Sequence, residues 1–192
     1  WPKSRYFFVV DDLRANEPGQ YAFQNIWRTL GNTRLQGRRW TSVKGNTAFN
    51  LVAPTDAALA QKQSAGTSLN AEPFPIDQAR ALIEAGGGQM SRGESYQFAN
   101  LFYTVPKTPG TDRTQIWRIS DTTWAIDDRG AQGVAGINRT TAVPGLVVEA
   151  NTFHITPETI TAARAHRIRA FGPLLEAEGP IHGESWMPIL EA

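Results

Sequence analysis

The side chains that most often carry out chemistry are few and scattered in this sequence. The three histidines, His154, His166 and His182, do not stand at the short spacings that metal sites use. Cysteine is absent, which excludes disulfides, thiolate metal sites and a cysteine nucleophile. No serine stands in the Gly-x-Ser-x-Gly motif of the serine hydrolases. These observations predict that the chain carries no catalytic residue of its own.

Two pairs of adjacent carboxylates are the remaining candidates for chemistry. Asp11-Asp12 follows an apolar run, and Asp127-Asp128 precedes Arg129-Gly130. Carboxylates can act in acid–base catalysis or bind calcium. Adjacent residues at the end of a strand point to opposite faces, however, which favours a role in capping turns. We therefore predict no cofactor, with calcium at either pair as the alternative.

Arginine and tryptophan are the candidates for contact with a sugar polymer. Guanidinium groups suit carboxylate or sulfate, and an indole ring suits the apolar face of a sugar. Of the six tryptophans, Trp40 and Trp124 lie near predicted strand starts and are expected to be more exposed than Trp27 and Trp117. The alternative is that surface arginines lie beside core tryptophans. The predicted carbohydrate-contacting residues are Arg28, Arg38, Arg39, Trp40 and Trp124.

Composition and short motifs limit the classes of partner that the sequence predicts. The net charge of the 192 residues is +1, and no basic run is interleaved with aromatics, so no nucleic-acid partner is predicted. No apolar stretch approaches the roughly 20 residues of a membrane-spanning helix. Asn138-Arg139-Thr140 matches the N-glycosylation triplet, which predicts a sugar on Asn138 if the source organism modifies this signal.

Short apolar or alternating segments separated by turn residues predict an all-β fold, an antiparallel β-sandwich. The first two segments are expected to be antiparallel neighbours, and Lys44-Gly45-Asn46 to form a tight hairpin turn. The predicted strands cover residues 5–10, 21–27, 39–43, 47–53, 96–105, 115–120, 123–127, 146–150 and 152–155.

The rest of the chain is predicted as loop and short helix. Residues 54–75 are polar and punctuated by proline, which indicates a long loop. Asp77 is expected to cap a helix over Gln78–Glu84, ended by Gly86-Gly87-Gly88, with an irregular loop as the alternative. Thr156-Pro157-Glu158 is typical of a helix start. We therefore predict a β-sandwich domain over 1–155, and over 156–192 a helix and an extended C-terminal tail that contacts a neighbouring domain.

The opening segment resembles one known family. Residues 5–13 (RYFFVVDDL), 17–21 (EPGQY) and 26–31 (IWRTLG) are similar to the C-terminal β-sandwich region of the heparinase II/III-like polysaccharide lyases. The shared pattern is a strand ending in Val-Val-Asp, a loop, and a strand carrying an aromatic. Residues 100–103 (NLFY) resemble a continuation of the same sandwich.

This resemblance implies an α/α toroid followed by antiparallel sheets, and β-elimination on uronic-acid polysaccharides. The family's catalytic Tyr, His and Asn match no position of this sequence, so no catalytic residue is carried over. We therefore expect a non-catalytic supporting domain of a larger lyase that is secreted, periplasmic or extracellular. Its expected partners are an acidic polysaccharide and an upstream catalytic domain, since Trp1 stands almost directly before a predicted strand.

Two other functions fit the same pattern. A sandwich that exposes sheet edges can accept a strand from another chain and so assemble into a fibre or a surface layer. A free-standing carbohydrate-binding module would instead bind glycan by itself through Trp40 or Trp124. The first alternative predicts self-association, and the second predicts binding by the isolated chain.

Overall fold

The computed structural model of the chain describes residues 6–63, 79–107, 114–128, 131–143, 146–156, 159–170, 174–176 and 187–188. Within these residues the regular structure is entirely β, and the strands pair antiparallel throughout. The predicted all-β, antiparallel class is therefore confirmed. The chain divides into two compact units, Trp1–Thr111 and Asp112–Ala192, and each is described by itself.

Eight of the described strands belong to the first unit and form two sheets. A five-stranded sheet has the order β1-β8-β5-β4-β3, and a three-stranded sheet has the order β2-β7-β6. The strands are β1 (Tyr6–Arg14), β2 (Gly19–Thr29), β3 (Asn32–Gln36), β4 (Arg39–Lys44), β5 (Thr47–Val52), β6 (Ala58–Gln63), β7 (Arg80–Met90) and β8 (Ser95–Pro106).

Strand β2 shows how the sequence selects which side chains lie inside. Successive side chains of a strand point to opposite faces. Tyr21, Phe23, Asn25 and Trp27 are half-buried, whereas the residues between them are exposed. The predicted aromatic face of this strand is therefore confirmed. The predicted hairpin between β4 and β5 is also confirmed, and Gly45 in its turn has a φ of 59°, a conformation that favours glycine.

The inner faces of the two sheets share one hydrophobic core. Leu82 of β7 is completely buried and lies in the same cluster as residues of the five-stranded sheet. The Trp27 and Phe102 rings meet edge to face with their centroids 4.7 Å apart. Full burial of one large apolar side chain stabilises the folded state by about 1.5–3 kcal/mol. The cluster consists of Trp40, Leu51, Ala53, Leu82 and Phe102, with Val9, Trp27, Leu35 and Leu59 packed against it.

The second unit contributes the other eight described strands, which belong to one sheet. The main path is β15-β14-β12-β11-β10-β9, while β13 pairs with β12 and with β16. Gly136 lies under the Phe153 ring, where any side chain on residue 136 would overlap that ring. The strands are β9 (Gln115–Ser120), β10 (Thr123–Asp128), β11 (Ala131–Val143), β12 (Leu146–Ile155), β13 (Thr159–Ala163), β14 (Arg167–Ala170), β15 (Leu174–Glu176) and β16 (Met187–Pro188).

The described residues contain no helix, so the short-helix prediction is not supported. Residues 80–84 of the first predicted helix begin β7, and the glycines expected to end that helix lie inside the same strand. Pairing of β7 with both β2 and β6 outweighs the local helix signal. Part of the predicted long loop is also a strand, since residues 58–63 form β6. Positions 64–78 lie outside the described residues.

The predicted C-terminal helix is also replaced by strands. Ile160 in β13 and Ile168 in β14 are both buried, and both strands pair with β12. Burial of these β-branched side chains favours strand over the helix that Thr156-Pro157-Glu158 indicated, although Pro157 and Glu158 themselves lie outside the described residues. Strand pairing thus continues past residue 155, and the described parts of the predicted tail are the strands β15 and β16.

The first two strands are not the neighbours that the sequence indicated. Strand β1 pairs with β8 in the five-stranded sheet, whereas β2 pairs with β7 in the three-stranded sheet. The loop between them therefore carries the chain from one sheet to the other. Tyr21 Oη donates a 2.8 Å hydrogen bond to the Glu17 carbonyl at the entrance to β2.

Candidate functional site

Polar side chains join the two sheets of the first unit across their shared interior. Each bond links a strand of the five-stranded sheet to an edge strand of the three-stranded sheet. Together the bonds fix the position of one inner face against the other. Hydrogen bonds of this kind contribute about 0.5–1.5 kcal/mol each. The bonded pairs are Asn25–Asp11 at 3.0 Å, Thr29–Ser42 at 2.9 Å and Trp40–Gln61 at 2.9 Å.

Glu84 is the most unusual member of this interior. It lies on β7, the central strand of the three-stranded sheet, and its side chain is completely buried. The Trp27 indole Nε1 donates a 2.8 Å hydrogen bond to Glu84 Oε1. The other carboxyl oxygen, Oε2, is buried without a hydrogen-bond partner among the described residues. A charged carboxylate in this position would be costly, since one of its oxygens is not compensated.

The surroundings of Glu84 favour its neutral form. Burial raises the pKa of Glu84, while the hydrogen bond from Trp27 and the positive charge of Arg38 oppose the rise. The nearby Asp11 carboxylate adds to the rise in pKa. Because the side chain has no access to solvent, the carboxyl group is out of reach of a substrate in this conformation.

Tyr96 completes the interior beside Glu84. Its ring lies 5.7 Å from the Phe23 ring and 5.1 Å from the Phe98 ring, measured between centroids. Its hydroxyl lies directly over Gly86, so a side chain at that position would overlap the phenol. Burial raises the pKa of Tyr96. The glycine run is therefore required by packing in the sheet, at least at its first position.

Arg38, a predicted carbohydrate contact, is held by the backbone. Its Nε donates to the Ala53 carbonyl and its Nη1 to the Ala57 carbonyl, each at 2.7 Å, and its Nη2 donates to the Thr55 carbonyl. These three carbonyls lie on the segment that leaves β5 and enters β6. Burial lowers the pKa of Arg38. The guanidinium thus fixes the crossing between the two sheets.

The tryptophans reverse the expected order of exposure. Trp40 and Trp124 were expected to be the more exposed, yet they are 1% and 0% exposed. Both lie on strands with a neighbour on each side, whereas Trp117 lies on β9, which pairs with β10, and is 46% exposed. The buried indoles cannot stack on a sugar in this conformation. Carbohydrate binding by the chain itself stays a prediction.

The two remaining predicted arginines lie on different sheets. Arg28 is exposed on β2 and alternates with the half-buried aromatics, so it points away from the interior. Arg39 on β4 is adjacent to buried Trp40, so it points to the other face of the five-stranded sheet. The predicted cluster of Arg28, Arg38, Arg39 and Trp40 is therefore not brought together in one place.

The outer face of the three-stranded sheet is the candidate surface for a ligand. Strand register aligns Arg28 of β2, Ala81 of β7 and Lys62 of β6 in one row, with both cations exposed. Ile26 and Ile83 begin the next row. The outer face, defined by register and alternation, consists of Gln20, Ala22, Gln24, Ile26, Arg28, Ala58, Ala60, Lys62, Ala81, Ile83, Ala85, Gly87 and Gln89.

Sequence reasoning missed both Glu84 and Lys62. Glu84 was assigned to a helix, and Lys62 to a loop. The alternation of Leu82 and Glu84 with Ala81 and Ile83 was the available signal. It is weak because the outward residues are apolar as well.

The carboxylate pairs do not form a metal site in the described part of the chain. Asp11 and Asp12 lie within β1 and not at its end as expected, and Gln97 Nε2 donates to Asp12 over 3.1 Å. Asp128 accepts a 3.0 Å hydrogen bond from the Thr114 hydroxyl. No group of three His, Cys, Asp or Glu side chains suited to a metal ion occurs among the described residues. Calcium binding stays an untested prediction.

The three histidines and the predicted glycosylation site Asn138 belong to the second unit. His154 lies in β12, where burial lowers its pKa, and His166 is exposed between β13 and β14. His182 lies outside the described residues. Asn138 lies in β11, and its glycosylation stays a prediction.

The comparisons leave the family open. No protein-family model matches this chain, and no curated protein matches it. Among the described residues, no helix is long and apolar enough to span a membrane.

Proposed function

We propose that this chain is a non-catalytic β-sandwich module that supports a larger heparinase II/III-like polysaccharide lyase acting on uronic-acid polysaccharides. The observation that carries the proposal is the arrangement of residues 6–29, the segment with the family resemblance. These residues form β1 and β2, one strand in each of two sheets that share a core. The Asn25–Asp11 hydrogen bond joins the two strands across that core.

The interior suits a supporting role. Its polar groups are used to fix the two sheets to each other, as in the Trp40–Gln61 and Thr29–Ser42 bonds. Arg38 fixes the crossing segment. A module built in this way presents a rigid surface to a neighbouring domain or substrate, because movement of one sheet against the other would break several part-buried hydrogen bonds.

The test compares the native protein with the isolated chain. The native protein, purified from its source, and the 192-residue chain are each incubated with heparin, alginate and polygalacturonate, and the unsaturated uronate product is measured by ultraviolet absorbance. We expect product from the native protein and none from the chain. Product formed by the chain alone would overturn the non-catalytic assignment. Absence of product from the native protein with all three polymers would overturn the lyase assignment.

We also propose self-assembly as a second candidate function, because one edge strand carries exposed apolar side chains. Trp117 and Ile119 are two residues apart, so they lie on the same face of β9, and they are 46% and 38% exposed. Strand β9 pairs with β10 and with no other strand of the described residues. An edge of this kind can accept a strand from a second copy of the chain.

Sedimentation velocity over a range of concentrations tests this candidate. We expect the wild-type chain to associate and Trp117→Lys to prevent association, since a charge on an edge strand opposes pairing. Leu30→Lys is the control, because Leu30 is 47% exposed in the other unit. A wild-type chain that stays monomeric, or equal effects of the two substitutions, would exclude assembly through β9.

A further inference from the structure

We infer that the outer face of the three-stranded sheet binds an extended anionic polysaccharide, with Arg28 and Lys62 contacting its carboxylate or sulfate groups. The inference deepens the proposed function and rests on it for the class of substrate. It is carried by the arrangement of this face, which brings together one predicted residue, Arg28, and one that sequence reasoning missed, Lys62.

The charge of this face has one sign. Its two ionisable side chains are Arg28 and Lys62, and none of the other eleven residues of the outer face is acidic. Both cations are exposed, and their backbone positions lie two strand spacings apart, about 10 Å, on either side of buried Ala81. Two like charges held at this separation attract a ligand whose negative groups repeat, since one anionic chain can contact both.

The shape of the face suits a chain more than a compact anion. Small residues such as Ala22, Ala60 and Gly87 project little from the sheet, so its surface is flat along the strands. The second row places Ile26, which is 37% exposed, beside half-buried Ile83. These side chains offer apolar area to the carbon face of a sugar ring.

Amide side chains provide the remaining contacts along the strands. Gln24 lies two residues from Ile26 on β2, and Gln20 pairs in register with Gln89 of β7. An amide can both donate to and accept from a sugar hydroxyl. Apolar residues and amides thus extend the face along the strands, beside the row that carries the two cations.

Binding by the whole chain tests the inference. Affinities for heparin oligosaccharide and polygalacturonate are measured by calorimetry for the wild type, for Arg28→Gln, for Lys62→Gln and for the double variant. Exposed charge contacts of this kind correspond to about two- to fivefold in affinity each, so we expect the double variant to lose about four- to twenty-five-fold. Dextran is the neutral probe and is expected not to bind.

The control variant combines Arg34→Gln with Lys44→Gln, which removes the same two residue types from exposed positions on the other sheet. We expect it to bind like the wild type. Equal losses in both double variants would overturn the inference, because general attraction would then explain the binding. No binding of the wild type to either anionic polymer would overturn it as well. The inference would also be overturned if duplex DNA bound the wild type with the same affinity and the two double variants lost that affinity to the same extent.

The outcome is separable from that of the proposed function. If the native protein releases unsaturated uronate while the Arg28→Gln/Lys62→Gln chain binds like the wild type, the inference fails alone. If the double variant loses binding while the native protein forms no product, the lyase assignment fails and the binding face stands. Thermal unfolding of each variant verifies that a loss of binding is not a loss of folding.

Discussion

The two faces of the three-stranded sheet differ in what their side chains do, although the same three strands supply both. The inner face carries Trp27, Leu82 and the buried Glu84, which are joined by packing and by a hydrogen bond. The outer face carries small residues, amides and two exposed cations, Arg28 and Lys62. Neighbouring residues of one strand thus belong to different environments.

This difference indicates that stability and binding are separated by strand alternation. A substitution on the inner face acts on the core, where cavities and uncompensated polar groups are costly. A substitution of an exposed residue on the outer face, such as Arg28 or Lys62, acts on a solvated group, where most changes are small. Paired substitutions at adjacent positions of β7 and β2 can therefore test the comparison directly.

Leu82→Ala and Ile83→Ala are the pair with the largest expected difference. Leu82 is completely buried in the shared core, so its truncation should cost about 2–5 kcal/mol of unfolding free energy. Ile83 points outward and is half-buried, so its truncation should cost about 1 kcal/mol. Urea denaturation followed by circular dichroism measures both. Equal costs at the two positions would contradict the assignment of the faces.

Gly86→Ala should destabilise the chain by about 1–3 kcal/mol, because the new methyl group would overlap the Tyr96 hydroxyl. Adding Tyr96→Phe removes that hydroxyl and should restore part of the loss. Gly19→Ala is the control, since its methyl group would meet only the Tyr21 ring at an ordinary 3.6 Å. Thermal unfolding compares the variants. A Gly86→Ala protein as stable as the wild type would show that Tyr96 does not occupy this space.

The sequence predicted the class of fold but not the partners of each strand. The alternation of Tyr21, Phe23, Asn25 and Trp27 was sufficient to predict β2 and its aromatic face. It did not indicate that β2 pairs with β7, which is separated from it by some fifty residues. Periodicity describes one strand at a time, whereas pairing depends on contacts distant in sequence.

The candidate site was predicted less well for the same reason. Arg38 and Arg39 are adjacent in sequence and were grouped with Arg28, yet alternation and a turn send the three guanidinium groups in different directions. Lys62 was missed because β6 reads as a polar loop. Proximity across a sheet follows from register, and a single sequence does not show the register of distant strands.

Glu84→Gln should change how stability depends on pH. Burial raises the folded-state pKa of Glu84 above its unfolded value, so the folded state holds the proton more tightly. The stability this provides is full below the unfolded pKa, about 4.3, and is lost as pH rises through the folded pKa. Glutamine has no proton to lose, so the stability of the variant should not fall as pH rises through this range. The glutamine side-chain oxygen still accepts the hydrogen bond from Trp27.

Urea denaturation across the acidic to mildly alkaline range measures this slope. Arg38, Asp11 and Tyr96 also face Glu84 and remain in the variant, so the difference between the two slopes reports Glu84 together with its interaction with these groups. Glu17→Gln makes the same change of charge at an exposed position and should keep the wild-type slope. Identical pH dependence in wild type and Glu84→Gln would mean that Glu84 titrates normally.

Arg28→Gln and Lys62→Gln should have the smallest effect on stability, within about 0.5 kcal/mol for each, because both side chains are exposed. Arg38→Gln is the contrasting arginine. Its guanidinium donates to three backbone carbonyls, and loss of hydrogen bonds from a charged group costs about 1.5–3 kcal/mol. A large loss of unfolding free energy in Arg28→Gln would mean that Arg28, like Arg38, stabilises the fold. A change in glycan affinity without a change in stability would assign the outer face to binding.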